Sequence, residues 1–137
     1  MKSQGPDAAQ IWQRVHSPEP TAQLSLQMLI RQLNQDTTYW KRRRNAGDDS
    51  TVELLIREYT AQLHALKGIA LLTGTSLPRE IGPMADHSLP YCYDHALQRL
   101  GAFQLRISDP VYGPVFRCLA RQTEQHCLQI TQLLGSR

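Results

Sequence analysis

Apolar residues in this chain recur at helical spacing, and proline and glycine cut them into blocks. Between Thr21 and Arg44, the residues Leu26, Leu29, Ile30, Leu33 and Trp40 fall three, four and seven apart, the pattern of an amphipathic helix. Lys41 to Arg44 stand at its end, where cations suit the negative pole of the helix dipole. NAGDDS, residues 45–50, reads as a turn that leaves Asp49 or Ser50 to cap the next helix, with Glu53 placed for a capping box behind Ser50. A second helix is predicted from Thr51 to Leu72, stopped by Gly74 and Pro78. Residues 75–89 carry Pro78, Gly82 and Pro83 and form a connection longer than an ordinary helix–helix loop. A third helix is predicted over Pro90 to Ile107, with Leu97, Leu100 and Ile107 on one side. SDPVYG, residues 108–113, turns the chain into a fourth from Pro114 to Leu134, ending at Gly135. Ahead of these, Ile11, Trp12 and Val15 fit one face of a short helical segment, Asp7 to His16, closed by Pro18 and Pro20. No useful length alternates with period two, so strands are not expected.

These blocks predict an all-α fold, an up-down four-helix bundle made of two helix pairs, residues 21–74 and 90–135. A long crossover over 75–89 joins them, and a short N-terminal helical segment occupies residues 1–20. The chain of 137 residues suits a single helical domain with a real core. A formal charge of +3 is too mild to announce a nucleic-acid binder, and the basic run at 41–44 reads as a solvated helix end without an aromatic platform or phosphate loop. Tyr39, Trp40, Tyr91, Tyr93 and Phe103 read as core and boundary packing. No stretch of about 18 apolar residues is present, and the opening residues lack the apolar centre of a signal peptide, so no membrane contact and a cytoplasmic setting are expected. Cys92, Cys118 and Cys127 form no CxxC pair and leave an odd count, which points to free, buried or half-buried thiols.

The second and fourth predicted helices align on their histidines without gaps. With His64 set over His126, Leu66 matches Leu128, Leu71 matches Leu133 and Leu72 matches Leu134, and each helix then reaches a glycine. This register suggests a duplicated helix pair.

Residues 56–74, IREYTAQLHALKGIALLTG, and residues 109–135, DPVYGPVFRCLARQTEQHCLQITQLLG, resemble the second and fourth helices of the rubrerythrin-like branch of ferritin-like proteins. Gln32 to Tyr39 resembles that family's first helix, where a Glu is followed by a Tyr. Such bundles hold two metals between helices with four Glu and two His, because residues three apart share a helix face and carboxylates can bridge two cations. Position by position, the resemblance places the family's glutamates on Gln32, Ala61, Thr123 and, more loosely, Ala96, while both histidines persist as His64 and His126. Glu58 and Asp36 are the carboxylates nearest to the inward faces.

Two divalent cations repel, and anionic bridges relieve that repulsion. A chain without the four glutamates is therefore expected to have lost dinuclear-metal oxidoreductase activity and to serve as a structural or interaction module, with a homodimer as the simplest partner and no cofactor. The alternative is a rubrerythrin-like metal binder or oxidoreductase holding iron, manganese or zinc on His64 and His126, with Gln32, Thr123, Glu58 and Asp36 as neighbours. A third expectation is a cavity for a small apolar ligand where ligands are missing.

Overall fold

The computed structural model describes residues 24–47, 50–79 and 87–135. They form four helices: α1 (Leu26–Asn45), α2 (Ser50–Leu72), α3 (Leu89–Leu105) and α4 (Gly113–Gly135). No strand occurs among the described residues. The predicted N-terminal helical segment and the cap at Asp49 lie outside them.

Local chemistry explains the helix ends. Ser25 caps α1 by accepting from the Met28 amide at 3.2 Å, and Arg42, Arg43 and Arg44 fill its last turn. Arg44 also reaches Glu53 across the turn at 3.6 Å. At the end of α2, Gly74 adopts φ +75°, and the Thr75 amide bonds back to the Ala70 carbonyl at 2.8 Å, the pattern of a left-handed C-cap. Ser88 caps α3, with Pro90 in its first turn. Between α3 and α4, the Asp109 carboxylate accepts from the Val111 and Tyr112 amides at 2.9 and 2.6 Å. A Cβ on Gly113 would collide with the Ile107 carbonyl, so this close turn requires glycine.

The contacts fix the helix directions. Gln27, early in α1, donates to the Ser76 carbonyl beyond the end of α2, and Arg106, just past α3, donates to the Leu24 carbonyl ahead of α1. Gln32 meets Gln98 while Asp36 meets His95, so α1 and α3 run antiparallel. Gln62 meets Gln122 while Glu58 meets His126, so α2 and α4 do the same. It follows that α2 and α3 are parallel, with residues 73–88 between them in sequence.

One apolar core draws on all four helices, including Leu29, Leu33, Trp40, Leu55, Leu66, Phe103 and Ile130. The inward face of α3 differs from the predicted one. Leu97 is 43% exposed, Leu100 and Ile107 are only partly buried, and Cys92, His95, Ala96, Arg99 and Phe103 point inward instead. Counting apolar residues alone set that face wrongly, because two polar side chains on it find partners inside.

The histidine register between α2 and α4 is not kept in three dimensions. His64 is exposed and His126 buried, while Leu66 is buried and Leu128 exposed. Burial matches when the register slides by two positions, pairing Leu55 with Leu119, Tyr59 with Thr123, Gln62 with His126 and Leu63 with Cys127.

Candidate functional site

The middle of the bundle holds a polar network centred on Asp36 of α1, which is fully buried. Its Oδ1 lies 2.9 Å from His87 Nε2 and 2.9 Å from His95 Nδ1, and its Oδ2 accepts from Arg99 at 2.8 Å. Arg99, also fully buried, donates onward to the Tyr59 hydroxyl at 2.9 Å and to Gln32 Oε1 at 3.3 Å. Its guanidinium also stands 5.1 Å from the centre of the Tyr59 ring. Gln32 donates in turn to Gln98 at 2.8 Å. Tyr39 stacks on the His87 ring at 5.2 Å, and Tyr91 packs against both His87 and His95.

Electrostatics decides the charge state of this network. Burial raises the Asp36 pKa, but the Arg99 guanidinium and the hydrogen bonds from His87 and His95 outweigh it, and the value falls to about 2. Asp36 is therefore a carboxylate, which only accepts hydrogen bonds. His87 must donate through Nε2–H and His95 through Nδ1–H. Burial pushes Tyr59 and Cys92 well above their ordinary values, with the Asp36 charge adding to the effect, so both stay protonated. Arg99 is raised: burial lowers it, but the Tyr59 phenol, the Asp36 charge and the hydrogen bond to Asp36 prevail.

A second polar contact joins α2 to α4. His126 Nε2 lies 2.7 Å from Glu58 Oε1, and its ring packs against Tyr59 at 4.9 Å. Burial lowers the His126 pKa, against an opposing pull from Glu58. Thr123 donates to the Leu119 carbonyl at 2.7 Å and accepts from Gln62 at 3.4 Å. His126 Nδ1 and Gln62 Oε1 are buried without a partner among the described residues.

The residues singled out from the sequence thus have separate fates. Asp36 is the centre of the main network, Gln32 belongs to it, Glu58 and His126 form the second contact, and Thr123 bonds instead to Gln62 and the Leu119 carbonyl. His64 and Ala61 sit on the exposed side of α2, so His64 and His126 do not share a shielded centre. The physical reason is the register: the buried face of α2 passes through Tyr59, Gln62 and Leu63, and His64 turns away from it. His87, Cys92, His95, Arg99 and Tyr59 were not picked out for this role. The signal available was the α3 spacing Cys92, His95, Arg99, which follows one helix face. As for the thiols, Cys92 and Cys127 are buried and Cys118 is exposed, and all three are free.

A carboxylate oxygen of Asp36, a ring nitrogen of His87 and Cys92 Sγ lie within 4.8 Å of one another, a donor set of metal-ligating type, with His87 Nε2 and Cys92 Sγ 3.3 Å apart. No helix among the described residues is long and apolar enough to cross a membrane. No family model, curated protein or solved structure matches the chain.

Proposed function

We propose that the chain is a ferritin-like bundle without dinuclear-metal oxidoreductase chemistry, acting as a structural or interaction module. The observation that carries this is the fully buried Arg99 guanidinium on Asp36, Tyr59 and Gln32, in the middle of the bundle. Asp36 is the one fully buried carboxylate among the described residues, and a covalently attached cation already occupies one of its oxygens. Two metal ions would face that fixed positive charge with almost no anionic bridging to offset it. The parallel α2 and α3, with residues 73–88 between them in sequence, support ferritin-like connectivity.

Leu71 and Leu72, 69% and 76% exposed at the end of α2, with Leu77 just beyond, supply apolar surface for a second copy of the chain. The alternative oxidoreductase built on His64 and His126 is not favoured, because His64 is exposed and His126 is already bound to Glu58. Metal analysis of protein grown with excess iron and manganese tests the proposal. Fewer than two metals per chain and no oxidase activity are expected. Two metals per chain, lost in His64→Ala and His126→Ala, would overturn it.

A further inference from the structure

We propose that Asp36, His87 and Cys92 form a site for a single zinc-class divalent cation, which ties the end of the crossover to α1 and α3. This goes beyond the structural-module proposal and does not depend on it, since one ion held by these three residues differs from a pair held between His64 and His126.

The site is built from three separate stretches of chain. Asp36 comes from the middle of α1, His87 from the last residues of the crossover and Cys92 from the first turn of α3. Asp36 and Cys92 are fully buried, and the His87 side chain is shielded too. Nothing in the bundle fold requires an imidazole and a thiol to converge on a buried carboxylate there; apolar side chains would fill the space at lower desolvation cost.

The spacing suits coordination. Zinc bonds of about 2.0 Å to nitrogen and oxygen and about 2.3 Å to sulfur put tetrahedral ligand atoms roughly 3.3–3.6 Å apart. The Asp36–His87 and His87–Cys92 separations of 2.9 and 3.3 Å require only a few tenths of an ångström of opening. One thiolate, one imidazole and one carboxylate make a mixed set that favours zinc or cobalt over manganese or magnesium.

The surroundings supply the supporting contacts. Arg99 holds the other Asp36 oxygen and His95 donates to Oδ1, so the carboxylate is oriented from outside the site. Tyr39 stacks on His87 and fixes its ring. Three protein ligands leave a fourth position for water or another small ligand.

The protons balance as follows. When the ion binds, the Cys92 S–H bond breaks, a sulfur–metal bond forms and that proton leaves to solvent. His87 keeps one proton, which moves from Nε2 to Nδ1, and the Nε2 lone pair goes to the metal. The Cys92 thiolate and the Asp36 carboxylate then oppose the divalent charge, with Arg99 still paired to the other Asp36 oxygen, and no oxidation state changes. Because the thiol gives up its proton to bind the ion, affinity rises with pH.

Cobalt titration of the metal-stripped full chain tests the site. The expected result is one cobalt per chain, with thiolate-to-cobalt charge-transfer absorption, intense tetrahedral visible bands and release of one proton per ion. The absorption should persist in the Cys118→Ser, Cys127→Ser double variant, where Cys92 is the one remaining thiol, and vanish in Cys92→Ser. It should weaken at least tenfold in affinity in His87→Ala, with helix content checked by circular dichroism. Absence of the charge-transfer band from the wild-type chain at saturating cobalt overturns the proposal, even if a variant fails to fold. So does a band that survives Cys92→Ser.

Discussion

The α1–α3 and α2–α4 sides of the bundle each join an acid to a histidine, yet they solve the burial problem differently. On the α1–α3 side, Asp36 is completely enclosed and its two oxygens are shared among Arg99, His87 and His95. On the α2–α4 side, Glu58 retains 29% side-chain exposure, and His126 has one bonded nitrogen and one bare nitrogen. A dry carboxylate needs a cation and several donors. A half-wet carboxylate can rely on water and manage with one partner. The contrast also explains why the two contacts respond oppositely to proton charge: Asp36 is held ionised, while burial keeps His126 neutral.

The largest test of this contrast is to remove one charge from the enclosed side. Arg99→Met leaves Asp36 buried without its cation and should cost about 3–5 kcal/mol in chemical denaturation. Adding Asp36→Leu to that variant should recover much of the loss, because no lone charge then remains. A double variant as unstable as Arg99→Met would show that packing, not charge, dominates this side.

Acid unfolding comes next in size. Asp36 has its folded-state pKa lowered to about 2 from an ordinary 3.8. Its contribution is therefore complete above pH 3.8 and disappears as pH falls through about 2, and it amounts to about 2 kcal/mol. Stability measured by urea titration across this window should decline less steeply in Asp36→Asn than in the wild-type chain.

The half-wet contact should be weaker. Glu58→Gln keeps an acceptor for His126 and should cost about 1 kcal/mol. The His126 pKa is lowered by burial, so the unfolded chain takes up the proton first. The stability it supports is present above pH 6.5 and is lost as pH falls through the lowered folded value. His126→Gln should flatten the pH dependence just below neutrality, as read by thermal melts. Smallest of all, His64→Ala lies on the exposed face and should change stability by less than about 0.5 kcal/mol.

Helix positions were legible from sequence because capping residues, breakers and apolar spacing act locally. Gly74 and the SDPVYG turn each enforce their own backbone geometry within a few residues, whereas α1 starts at Leu26 behind a Ser25 cap rather than near Thr21 as expected. Asp36 and Glu58 were also recognisable as the carboxylates nearest the inward faces. Their partners were harder to see. Arg99 and His95 look like surface residues in a one-dimensional pattern, and their burial becomes favourable only when α1 brings Asp36 opposite them. His64 misled for the complementary reason: its matching neighbours kept step with His126, but a small rotation of the helix decides which of them faces the core.

By itself the sequence determined the four helices of the described residues and their order, since each is encoded by local propensity and punctuation. The tertiary structure alone decided which polar side chains meet. Helix rotation and the parallel placement of α2 and α3 put one carboxylate, one guanidinium, two imidazoles and a thiol into the same dry space. No local signal specifies such a meeting, because the free energy that permits it comes from partners distant in sequence.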